Sequence, residues 1–87
     1  MSATFTFYCD PGHGWLKVSK ADCFDIGLWG TDFSAYSYQN GAALYLEEDS
    51  DAGIFLDAYR AAHGELPTIK ESYSESHSEI RRMQHIH

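Results

Sequence analysis

The sequence predicts an α+β domain: a hairpin-rich antiparallel sheet of four to six strands, in the order ββαββαβ, with two helices packed on one face. Three observations carry this expectation. Tyr and Phe recur in short runs that alternate with polar residues, Asn40-Gly41 separates two such runs, and one apolar repeat of helical period follows Ser50. Alternation with period two is the mark of a half-buried strand, and Asn-Gly supplies the positive φ angles that a tight hairpin turn needs.

Thr4-Phe5-Thr6-Phe7-Tyr8 alternates, Asp10-Pro11-Gly12-His13-Gly14 interrupts, and Trp15-Leu16-Lys17-Val18 resumes, which predicts a hairpin with a five-residue connection. Ser19-Lys20-Ala21-Asp22 has the form of a capping box and Gly27 that of a C′ residue, so a short helix is expected over about residues 20–26. Cys23, Phe24 and Ile26 are its expected core contacts, and residues 28–32 read as a loop. Residues 33–38 and 42–46 form the second hairpin around Asn40-Gly41. Ser50 or Asp51 can start a second helix whose face is Ile54, Phe55, Ala58, Tyr59 and Ala62, ended by Gly64 and Pro67. Residues 68–73 read as a strand, 74–78 as a turn, and 79–84 as a final short strand.

Eighty-seven residues make one domain, 1–87, with a single modest core and a last few residues expected to fray. An aromatic content of 15% within 44% hydrophobic residues favours a folded globule over disorder. No apolar run approaches the roughly 18–20 residues that cross a bilayer, and the N-terminus has no basic, then apolar, leader pattern. The expectation is a cytoplasmic protein with no membrane partner. The net charge of −7 is concentrated in residues 21–66, where nine acids face Arg60 alone. Such a surface repels nucleic acid and favours basic partners. Cys9 and Cys23 are expected to be free thiols, and no cofactor or catalytic motif is implied.

Four carboxylates crowd one short stretch, Glu47, Glu48, Asp49 and Asp51, with no Lys or Arg close by in sequence. Asp49 and Asp51 suit a helix N-terminus, where negative charge complements the macrodipole by about 0.3–1 kcal/mol per group. Four acids exceed what a cap uses, so the stretch also reads as a partner-binding surface that imitates phosphates. A divalent-cation site is weaker, because the EF-hand glycine and closing glutamate are missing. Asp10-Pro11-Gly12-His13-Gly14 is turn chemistry first; Asp10 with His13 is too little for a catalytic site without a nucleophile. The histidines His63, His77, His85 and His87 lack the spacing of a structural zinc site. Trp29 stands between glycines as an anchor, and Tyr36 with Tyr38 would share one strand face, leaving an aromatic patch if the helices cover the other.

Phe7-Tyr8-x-Asp10-Pro11-Gly12-His13-Gly14-Trp15-Leu16-x-Val18, Tyr36-Ser37-Tyr38-x-x-Gly41, and Tyr45-Leu46-Glu47-Glu48-Asp49-x-Asp51 with a later Arg81 resemble a family of small uncharacterised proteins encoded by phages and prophages. The resemblance spans roughly residues 5–82 and implies a viral context but no chemistry. Ser50 stands where that family's pattern has Cys, which argues against an essential thiol there. With the acidity, it leads to the expectation of a non-enzymatic protein that binds and blocks a basic, nucleic-acid-binding surface of a host protein, an anti-CRISPR or anti-restriction inhibitor in its sharpest form. The partner-binding residues are then Glu47, Glu48, Asp49, Asp51, Tyr36, Tyr38 and Trp29. One alternative is a small metal-dependent module or enzyme using Asp10, His13 and the acidic turn. Another is a structural homodimer paired through residues 79–84.

Overall fold

The computed structural model describes residues 3–74 and 79–87. Strands β1 (Thr4–Cys9) and β2 (Gly14–Ser19) form the first hairpin, followed by α1 (Lys20–Asp25). A 3₁₀ turn (Gly30–Asp32) leads to β3 (Tyr38–Asn40), β4 (Ala43–Glu47) and α2 (Asp51–His63). The chain then runs through β5 (Thr68–Tyr73), a 3₁₀ segment (Glu79–Arg82) and the two-residue β6 (Gln84–His85). The six strands form one sheet in the order β5-β1-β2-β4-β3-β6. The fold is α+β, as the period-two runs predict.

Local sequence explains most boundaries. Ser19 Oγ accepts from the Asp22 N–H at 2.9 Å while Asp22 accepts from the Ser19 N–H at 3.2 Å, completing the box that starts α1. At its other end the Leu28 N–H reaches Cys23 O and the Gly27 N–H reaches Phe24 O, with Gly27 at φ 84°, a Schellman stop. Gly64, at φ 79°, ends α2 in the same left-handed conformation.

Pairing is antiparallel except between β1 and β5, which run parallel from Thr4↔Thr68 to Cys9↔Tyr73. The sheet is therefore mixed rather than purely antiparallel. A period-two run does not say in which direction its neighbour lies. All six residues of β5 are exposed, as befits an edge strand carrying Lys70 and Glu71.

Alternation sorts the side chains into two clusters. Phe5, Leu16, Val18, Leu44 and Leu46 point to the helices, where Cys23 of α1 and Ala52, Phe55 and Tyr59 of α2 complete the main core. Phe5 meets Phe55 and Tyr59 edge-on, at centroid separations of 5.3 and 5.9 Å. On the opposite face, Trp15 and Tyr45 cluster with Ile80, flanked by Tyr8, Tyr38, Ala43 and Met83.

Three expectations are corrected. Residues 33–37 are not strand but a loop. Phe24 is exposed rather than a core contact, at 59%. Residues 79–84 do not form a strand: they make a 3₁₀ turn and enter β6, which pairs with β3 on one side and stands at the end of the sheet. The tail after β6 is tied down, with Ile86 on the main core and His87 Nε2 at 2.9 Å from Gly30 O and 2.8 Å from Phe33 O. The predicted turn at 74–78 lies, past Ser74, outside the described residues, as does His77. No helix among the described residues is long and apolar enough to cross a membrane.

Candidate functional site

The helix-free face of the sheet is where the polar chemistry collects. Register sets Tyr8 beside Trp15 and Trp15 beside Glu47, while Lys17, Tyr45, Tyr38 and His85 follow one another across four strands. Rings meet within and between these rows: Tyr38 lies 4.3 Å from the His85 ring in its own row and 6.1 Å from Trp15 in the next, centroid to centroid. Residues 79–83 cross part of this face, burying Ile80 and laying the Arg81 guanidinium 5.7 Å over the Trp15 ring.

Arg81 is held there by Asp10. Its Nε donates to Oδ2 and its Nη2 to Oδ1, both at 2.7 Å, in the fork geometry of a strong carboxylate pair. Asp10 Oδ1 also accepts from the Gly12 and His13 N–H groups at 3.0 Å each. One carboxylate therefore caps the β1–β2 turn and fastens the C-terminal segment to it. The hydrogen bonds it donates to Asp10, more than the Asp10 charge, hold the Arg81 guanidinium above its ordinary pKa, against a desolvation that pulls the other way. Both Asp10 oxygens are engaged, and no group of three His, Cys, Asp or Glu among the described residues is arranged to hold a metal ion.

Beside this pair a cavity of about 660 Å³ opens to solvent, lined by His13, Trp15, Tyr36, Tyr38, Glu47, Asp49, Ser50, Arg81 and His85. Four of the predicted partner-binding residues, Glu47, Asp49, Tyr36 and Tyr38, meet in it. Tyr36 stands at its mouth, 74% exposed. Glu47 ends β4 and is only 8% exposed; its Oε2 accepts from the Asp49 N–H at 3.0 Å.

The other three go elsewhere. Glu48 is exposed outside the cavity, its N–H bonded to Gly14 O at 3.1 Å. Asp51, 1% exposed, is buried beneath the acidic turn rather than displayed on it. Its carboxylate accepts from the Ser34 N–H, from Ser34 Oγ at 2.8 Å and from Ser37 Oγ, while Ser37 Oγ accepts from the Glu47 N–H at 2.9 Å. Asp51 thus organises the loop before β3 and does not present charge to a partner. Trp29 packs edge-on against Phe24 at 5.0 Å, beside a separate apolar hollow near α1.

Sequence reasoning missed Trp15, Ser50, Arg81 and His85 as cavity residues. Register would have found Trp15, since it lies on the same face as Tyr45 and opposite Glu47. Nothing local in the sequence points Arg81 back to Asp10. In comparisons with family models, curated proteins and solved structures, nothing matches this chain.

Proposed function

We propose that this is a non-enzymatic binding protein that occupies a basic surface of another protein with its helix-free face. The observation that carries the reading is the cavity in which Trp15, Tyr36 and Tyr38 stand beside Glu47 and Asp49. The positive charge in its wall, on Arg81, is already matched by Asp10, so the carboxylates left over set the sign of the surface. Aromatic residues next to uncompensated charge are the composition of binding hot spots. Glu48, exposed just beyond the cavity, extends the acidic rim. With the resemblance of three motifs to phage and prophage proteins, the preferred setting is the cytoplasm of a bacterial host. The preferred target is a nucleic-acid-handling protein of a defence or processing complex, blocked as an anti-CRISPR or anti-restriction inhibitor would block it. The domain itself does not bind nucleic acid or membranes.

The test is affinity capture from bacterial lysate with the wild type beside a Glu48→Gln, Asp49→Asn variant. Both residues are exposed, so their neutralisation leaves thermal stability unchanged. A basic nucleic-acid-handling protein retained by the wild type and lost from the variant supports the reading. Equal retention by both sinks it.

A further inference from the structure

The helix-bearing side of the sheet is not wholly covered. Beside α1 a cavity of about 740 Å³ opens between that helix, the loop after it and residues 86–87. Cys23, Leu28, Leu44 and Ile86, which belong to the main core or pack on it, make its apolar wall. Gln39 shares the Leu44 side of the sheet by register and joins them, its Nε2 already donating to His85 O at 3.2 Å. Phe24 and Trp29 line it too, edge-on to each other and both more than half exposed. Two large rings left in water beside an apolar hollow mark a surface that binds something. The volume is that of a small-molecule site, about 300–1,000 Å³.

The charge of this cavity runs against the rest of the molecule. The chain has 13 acids and six Lys or Arg, yet no Asp or Glu lines the cavity and Lys20 does. The acids nearest in sequence are turned to backbone: Asp22 Oδ2 accepts from the Ser19 N–H and Asp32 Oδ2 from the Trp29 N–H, at 3.2 and 2.7 Å. Lys20 is exposed and makes no ion pair among the described residues.

We infer that this cavity binds a small amphipathic carboxylate, its apolar body against Phe24, Trp29 and Leu44 and its acid group at Lys20. Volume, apolar lining and a single unpaired lysine select that class. A neutral apolar molecule leaves the lysine unused, and an ammonium is repelled by it. A polyanion finds one Lys and no Arg here, on a chain whose net charge of −7 opposes it. Leu44 and Gln39 place the cavity across the sheet from the helix-free face, so this is a second site, independent of the binding surface proposed above.

The experiment uses the full chain, isotopically labelled, titrated with phenylbutyrate and followed by NMR. Phenylbutanol and phenylbutylamine carry the same apolar body with a neutral and a cationic head. Saturable shifts are expected at the Trp29 indole N–H and at the amides of Leu28, Gly30 and Gln39. The alcohol binds about two- to fivefold more weakly than the acid, as loss of an exposed charge pair should, and the amine more weakly still. Lys20→Gln removes the preference for the acid and leaves the alcohol unchanged. Trp29→Ala weakens all three probes about tenfold, as loss of a large aromatic anchor should. Both residues are exposed, so neither variant unfolds the domain. Glu48→Gln, Asp49→Asn, on the acidic turn, leaves phenylbutyrate binding intact. Any of four results overturns the inference: no saturable shifts, an amine that binds as tightly as the acid, a preference for the acid that survives Lys20→Gln, or shifts that survive Trp29→Ala. Dissociation of a dimer by phenylbutyrate would assign the cavity to a second copy of this chain and overturn the choice of occupant.

Discussion

Arg81 and Asp10, 71 residues apart, are joined by two hydrogen bonds of 2.7 Å, and the same Asp10 carboxylate caps the first hairpin turn. The Asp10 side chain is fully buried, and removing it leaves Arg81 without its acceptor and two turn amides without theirs. Asp10→Ala is expected to cost about 3 kcal/mol, as for other broken buried pairs. Arg81→Lys restores charge but not the fork, so its melting temperature falls below wild type; denaturant and thermal unfolding check both. Unfolding midpoints equal to wild type would show that residues 79–83 are held by Ile80 and Met83 alone.

Asp51 and Ser37 form the second long-range link. The Ser37 hydroxyl donates to Asp51 and accepts from the Glu47 N–H, so one small residue ties the start of α2 to the end of β4. Asp51→Ala leaves the Ser34 and Ser37 donors buried without an acceptor and is expected to lower stability by about 2–3 kcal/mol. Ser37→Ala should cost about 1–2 kcal/mol. Urea unfolding measures both, and a change under half a kcal/mol for Asp51→Ala, roughly that of a surface site, would contradict the assigned role.

The legible parts of the fold are those written in a few adjacent residues. The second hairpin turns at Gly41-Ala42, one residue later than expected, with Asn40 paired to Ala43 inside β3 and Gly41 alone at positive φ. Ser19 with Asp22 starts α1, and Gly27 and Gly64 end the helices because each signal acts within one turn of chain. In α2 the helical repeat located Phe55 and Tyr59 in the core but also included Ile54, which is 37% exposed at the edge of that face. Residues 33–37 alternate like a strand, yet Ser34 and Ser37 are drawn into hydrogen bonds with Asp51, 17 and 14 residues on. That long-range satisfaction of a buried carboxylate overrides a weak local pattern. The site was half legible for the same reason: the acids and tyrosines are visible in sequence, whereas Trp15, Arg81 and His85 reach them only through register and the Asp10 pair.

Cys23 offers a pH-dependent check on the main core. Burial first, and the neighbouring Asp22 charge second, push its thiol from 9.0 up to about 12. Between those values the folded chain keeps a proton that the unfolded chain releases. Its contribution to stability is therefore complete below about pH 9 and is lost as pH rises towards about 12. Alkylation with iodoacetamide at pH 8 should modify Cys9, half-buried on β1, while Cys23 reacts only on unfolding. Equal labelling of both thiols in the folded protein would show that the core around α1 opens readily.

Gly14 is the position where β2 tolerates no side chain. It is buried at the start of the strand, and a Cβ there would lie 2.4 Å from Phe7 Cζ and 2.7 Å from Cε2, inside contact distance. Phe7 must move for Gly14→Ala to be accommodated, and it packs against the main core, so its displacement disturbs β1 as well. The expected cost is about 1–3 kcal/mol, typical of overpacking. Phe7→Leu shortens the clashing ring and should recover part of that loss, so the double variant is more stable than the two single costs add to. A double-mutant cycle by urea unfolding reads this directly. Strict additivity would mean that the clash is relieved by a backbone shift of β2 rather than by the Phe7 ring.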